Sequence, residues 1–189
     1  MHSPKGGEPR IVDREEIRHK GRPRSPVKLD GMDAAALPAL PVDTPNEDVR
    51  PSIVIDTQVV MDWLVFRDAR VQALTAAVTS GALRWLVAPA MRDEIRHVLG
   101  RGVAASYAPD LAFIEAQFDA HSHPVDVIAE QPLAVRLVCR DPDDQKFIDL
   151  ALAAQARWLI SRDKAVLALA KRAKPRGLAI VTPERWSLE

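Results

Sequence analysis

From Pro51 onward the chain alternates short, unbroken apolar runs with longer segments in which apolar residues return every three or four positions. That alternation predicts a parallel sheet whose strands are joined by crossover helices. Residues 52–56, Ser-Ile-Val-Ile-Asp, form the first strand candidate, and their β-branched run lacks polar alternation, as expected of a strand buried on both faces. The spacing of Val71, Leu74, Ala77 and Val78 predicts a helix over 70–79, with Gly81 just past its end. Residues 84–88 read as a second strand closed by Pro89, and Met91, Ile95, Val98 and Leu99 put an apolar stripe on a helix over 90–99. Leu111, Ile114 and Phe118 predict a helix over 109–120, and a third strand is expected over 124–128. The most regular helical pattern is Phe147, Leu150, Ala151 and Ala154; a strand over 157–161, a helix over 164–171 and a last strand over 178–181 follow it. The expected fold class is α/β, a three-layer doubly wound arrangement with a central parallel sheet of about five strands and helices on both faces.

Residues 1–50 break this pattern. Eight of the 15 prolines fall by Pro51 and no period of 2 or 3.6 is sustained, so the stretch is expected to be a disordered tail ahead of a single domain over 51–186. The tail opens basic and turns acidic after residue 28, and Met32 offers a later start. Lys plus Arg and Asp plus Glu both number 26, so no global field recruits a polyanion or a membrane surface, and a nucleic acid would have to be met by a local patch. The single cysteine, Cys139, rules out an intramolecular disulfide and a cysteine-rich zinc site, and suits a reducing compartment. With no apolar leader and no apolar run long enough to span a bilayer, the expectation is a soluble, cytoplasmic protein.

Set on this layout, the acids fall in one region. Asp56 ends the first strand, Asp163 comes just past the fourth, Asp141, Asp143 and Asp144 open the helix before it, and Glu94 lies one turn into the helix after the second strand. In a parallel sheet, strand ends and helix starts gather at one edge, where such folds place their ligand crevice. Two carboxylates about 5 Å apart at an effective dielectric of about 20 repel by roughly 3 kcal/mol, so such a group requires protons or a cation. An all-oxygen donor set suits a hard divalent ion such as Mg²⁺ or Mn²⁺, and the chemistry that follows is metal-assisted hydrolysis of a phosphodiester. Taken singly, each acid has a plainer explanation: Asp141-Pro142 with Asp144 reads as a helix cap, Asp163 as the cap of the next helix, and Glu94 as a residue on a solvated face or one paired with nearby arginines. Asp56 resists that treatment, because an acid closing a buried strand is costly without a partner.

Three stretches, "VIDTQVV" at 54–60, "APAMRDEIRHVL" at 88–99 and "RDPDDQKFIDLALAAQARWLISRD" at 140–163, resemble the PIN domain family, in its bacterial branch of toxin components of toxin–antitoxin pairs. The resemblance implies a PIN-like fold, Mg²⁺ or Mn²⁺ as cofactor, and Asp56, Glu94, Asp144 and Asp163 as metal ligands and catalytic residues, with Asp141 as a cap and Asp143 peripheral. It also implies an endoribonuclease acting on RNA, an antitoxin protein as partner, and a homodimer. Two positions depart from the pattern: Gln58 stands where the family usually has Asn, and Ala165 where a further acid is common. They leave a second reading, a catalytically weakened PIN-like module binding RNA or protein, beside a third, a metal-dependent DNA nuclease.

Cations near the expected mouth are Arg92, Arg140, Lys146, Arg162 and Lys164, with a second cluster at Lys171, Arg172, Lys174 and Arg176. Such residues track a phosphate backbone without reading sequence. Tyr107, Trp63 and Trp85 are assigned to the core rather than to base stacking. No Gly-rich phosphate loop occurs, and His121 and His123 lack the further ligands a metal site would need.

Overall fold

The computed structural model describes residues 50–126 and 136–188. Its strands are β1 (Ser52–Ile55), β2 (Arg84–Val87), β3 (Ser122–Pro124), β4 (Trp158–Ile160) and β5 (Ala179–Val181). They form one all-parallel sheet in the order β3-β2-β1-β4-β5, with Ile53 opposite both Trp85 and Trp158, and Ile160 opposite Val181. Successive strands are added in one direction from β1 and in the other from β4, which makes the carboxyl ends of those two parallel strands the switch point of a doubly wound fold. The expected α/β class holds.

The helices are α1 (Thr57–Leu64), α2 (Gln72–Thr79), α3 (Pro89–Gly100), α4 (Leu111–His121), α5 (Gln145–Ala153), α6 (Lys164–Leu167) and α7 (Ala170–Ala173), with single 3₁₀ turns between some of them. Right-handed crossovers put the connections of β1, β2 and β3 on one face and those around β4 and β5 on the other. On the first face α1 packs against α3, and Trp85 of β2 meets Trp63 of α1 at 5.5 Å and Phe118 of α4 at 4.7 Å between ring centroids. On the second, α5 lies across β1 and β4 with Phe147, Ile148, Leu150 and Ala151 essentially inaccessible. The central strands are apolar on both sides because both sides are covered.

Several boundaries differ from the sequence expectation, each for a local reason. Helix α1 has no counterpart in the pattern: it is buried at Thr57, Val59, Val60, Met61, Asp62 and Leu64, almost all round, so no polar stripe betrays its period. The 70–79 segment begins as a 3₁₀ turn, Ala69–Val71, capped by Asp68, before α2 continues it. Strand β3 falls two residues earlier than expected, although the Val125 N–H still donates to the Val87 carbonyl at 2.9 Å; residues 127 and 128 lie outside the described residues. As an edge strand it tolerates Pro124. The helix expected over 164–171 divides into α6 and α7. Tyr107, assigned to the core, is instead 60% exposed and meets the Phe66 ring edge-on, at 4.8 Å between centroids. The tail expected over residues 1–50 lies, apart from Arg50, outside the described residues. Among those residues no helix is long and apolar enough to cross a membrane.

Candidate active site

The switch point carries the acids. Asp56 directly follows β1, and its N–H donates to the Ile160 carbonyl of β4 at 2.9 Å, extending the sheet pairing to the acid itself. Its Oδ1 accepts the Gln58 N–H at 3.1 Å, which caps α1, and its Oδ2 accepts the Ser161 hydroxyl at 2.5 Å. Ser161 is fully buried and its hydroxyl oxygen also accepts the Asp163 N–H at 2.9 Å, so one side chain ties the acid after β1 to the acid after β4. Asp163 caps α6 through Oδ1, which accepts from the Ala165 N–H at 2.6 Å and from that of Val166 at 3.3 Å. The capping explanation for Asp163 is therefore correct, but it occupies only one carboxylate oxygen.

Glu94 projects from the second turn of α3 and is held from two sides. The Thr57 hydroxyl donates to Oε2 at 2.5 Å and the Lys146 ammonium to Oε1 at 3.2 Å. Thr57 is next to Asp56 and Lys146 is two residues from Asp144, so these bonds draw α1, α3 and α5 around one point. Lys146 also donates to the Asp143 carbonyl and rests over the Phe147 ring at 4.7 Å. The alternative of Glu94 paired with nearby arginines does not hold for Arg92 and Arg96, which turn to Glu115 of α4. Asp144 stands at the N-cap position of α5, not at the third residue of the helix, and its side chain makes no capping bond. Asp141 caps no helix; its Oδ1 accepts the Asp143 N–H at 3.0 Å and stabilises the turn before α5. The capping explanation of Asp144 fails for that reason.

Electrostatics ties the four acids together. Burial pushes the Asp56 carboxyl upward, the Ser161 and Gln58 hydrogen bonds oppose it, and the charges of Glu94 and Asp163 add to the rise. Asp144 is pushed up to about 6, first by burial and then by Asp56, Asp163 and Asp141, with Lys146 pulling the other way. Asp56, Glu94, Asp144 and Asp163 thus share one field. Among the described residues no three acid, histidine or cysteine side chains already form a ready-made ion cluster. The donor set, carboxylates only with no nitrogen or sulfur among them, fits a hard divalent ion that keeps part of its water shell and takes one or two carboxylates directly.

A family model described as PIN domain matches residues 52–165, more than half of the 189-residue chain. The chain belongs to the PIN domain family. PIN domains are in general nucleases, that is hydrolases, and typically use divalent metals. The matched stretch includes every acid of the site and stops before α7 and β5. Comparison with curated proteins found no match. In this PIN domain, Gln58 is exposed and only its backbone N–H reaches Asp56, while Ala165 contributes its N–H to Asp163.

Thr57, Ser161 and Lys146 position the acids, yet of these only Lys146 stands out in the sequence, and as a phosphate contact rather than as the partner of Glu94. The hydroxyls next to acids at a strand end, "DT" at 56–57 and "SRD" at 161–163, are the available signal. A second group anchors the approach to α5: the Gln145 side chain accepts from the Cys139 N–H at 2.7 Å and donates to the Leu137 carbonyl and to Asp149, which also receives Arg136. That clamp fixes the segment leading to Asp141 and Asp144.

Proposed function

We propose that the chain is a metal-dependent endoribonuclease that hydrolyses RNA phosphodiesters, with Asp56, Glu94, Asp144 and Asp163 as its metal ligands and catalytic residues. What supports this most is the gathering of these four acids at the β1/β4 switch point, with Asp144 raised to about 6 by burial and by its acidic neighbours. When bound, Mg²⁺ or Mn²⁺ would supply the positive charge that makes the group tolerable and the Lewis acidity that activates water toward phosphorus.

The chain's own part is positioning. Ser161 and the Gln58 N–H fix the Asp56 carboxylate, and Thr57 and Lys146 fix that of Glu94. Asp144 makes no capping bond and its carboxyl is pushed up to about 6, so around that pH ion uptake and proton release are coupled at its carboxylate. The choice of RNA, the role of toxin restrained by an antitoxin protein, and a homodimer all rest on the motif resemblance. The test offers single-stranded RNA and single-stranded DNA side by side, with Mg²⁺ and with chelator, to the wild type and to Asp144→Asn. Cleavage of RNA only by the wild type with metal is expected; cleavage of DNA alone, or of neither, contradicts the reading. An adjacent gene for a DNA-binding antitoxin would support the toxin role.

A further inference from the structure

Of the five cations that the sequence sets near the acids, three are already engaged. Arg92 is bound to Glu115 at 2.6 Å and Asp119 at 2.7 Å, Lys146 to Glu94 at 3.2 Å, and Arg162 to Asp62 at 2.7 Å and to Glu184. Arg140 and Lys164 differ: their side chains are exposed and make no hydrogen bond or ion pair with any described residue. They come from separate elements, Arg140 from the segment entering α5 and Lys164 from the first residue of α6, yet both line one cleft of about 380 Å³ together with Asp141, Pro142, Asp163 and Ala165.

Two like charges facing one cleft are stable neighbours when an anion sits between them. The acids of the same wall are partly occupied elsewhere, since Asp141 Oδ1 closes a turn and Asp163 Oδ1 caps α6. Asp163 belongs both to this cleft and to the acid group, so an anion held by Arg140 and Lys164 lies beside the place where a scissile phosphate would react. Arginine can take two phosphate oxygens with its planar fork, and lysine supplies a point charge. The second cationic cluster stands elsewhere: Lys174 precedes β5 and lies toward the opposite edge of the sheet from the acids.

We infer that Arg140 and Lys164 form a subsite for the phosphate next to the scissile one in a single-stranded polynucleotide. The inference rests on the nuclease reading above, and it assigns these residues to substrate placement rather than to bond cleavage. The subsite reads backbone and not base, because both residues offer charge and no base-edge pattern.

The test is steady-state cleavage of a single-stranded oligoribonucleotide over a range of salt by wild type, Arg140→Met, Lys164→Met, the double variant, and Lys174→Met as a charge-matched comparison. KM is expected to rise about tenfold in the double variant with kcat within about twofold, and the salt slope of log KM to fall by about 0.7 for each cation removed from the phosphate. Lys174→Met should behave as wild type. An unchanged KM in the double variant while the wild type cleaves overturns the subsite and leaves the nuclease reading standing. Equal losses in Lys174→Met reduce the effect to net charge and overturn it as well. A wild type that cleaves no strand defeats the nuclease reading, and the subsite with it.

Discussion

At the scale of single residues, Asp144 carries the clearest expectations. Its carboxyl titrates at about 6 against a usual 3.8, so between those values the folded chain keeps a proton that the unfolded chain has released. Metal-free stability contributed by this group is therefore lost as pH rises from about 4 to about 6. Asp144→Asn should abolish cleavage, and near neutral pH without metal it should raise Tm by about 2–4 °C, about 1 kcal/mol after allowing for solvent screening. Near pH 4 the two proteins should melt alike, and scanning calorimetry at both values checks this. Ser161→Ala removes the hydroxyl that joins Asp56 to Asp163; it should cost about 1–3 kcal/mol and weaken Mn²⁺ binding about tenfold or more, read by thermal melts and calorimetry. The acids themselves are legible in the sequence because an ionisable group at the end of a buried strand is costly. Thr57 and Ser161 are not, since a hydroxyl serves as readily in a turn as in a site and only the fold decides which.

At the scale of elements, apolar periodicity serves well wherever one face of a helix meets water and fails where none does. Helices α3 and α4 lie close to the limits their patterns predict, whereas α1 escapes because its surroundings are core on nearly every side. The start of α5 misleads for another reason: Asp-Pro at 141–142 looks like a cap followed by a first turn, but Asp141 spends its carboxylate on the turn and the helix begins at Gln145. Helix α1 is also tied to the loop that carries Asp163. Arg162 donates to Asp62 of α1 at 2.7 Å and also meets Glu184, and both Arg162 and Asp62 are largely covered. Arg162→Met should cost about 2–3 kcal/mol because it leaves Asp62 covered and unpaired, while adding Asp62→Asn should recover part of that loss. Denaturant titration of the two single variants and the double variant measures the coupling; strict additivity would deny it.

At the scale of the whole molecule, the parallel sheet and its helices follow from the alternation of patterns along the chain, and the strand order brings Asp56 and Asp163 to adjacent strand ends. Charge is less legible. The sequence shows cations near the acids, but not that Arg92, Lys146 and Arg162 are engaged by acids from other elements, because ion pairs between distant segments leave no local pattern. The central claim is that Asp56, Glu94, Asp144 and Asp163 act together in holding divalent metal, and calorimetric titration with Mn²⁺ near pH 7 tests it most directly. Saturable binding by the wild type, lost in Asp144→Asn and weakened as pH falls below about 6, is the predicted result. The absence of saturable binding in the wild type, or binding of equal strength in the variant, would contradict it.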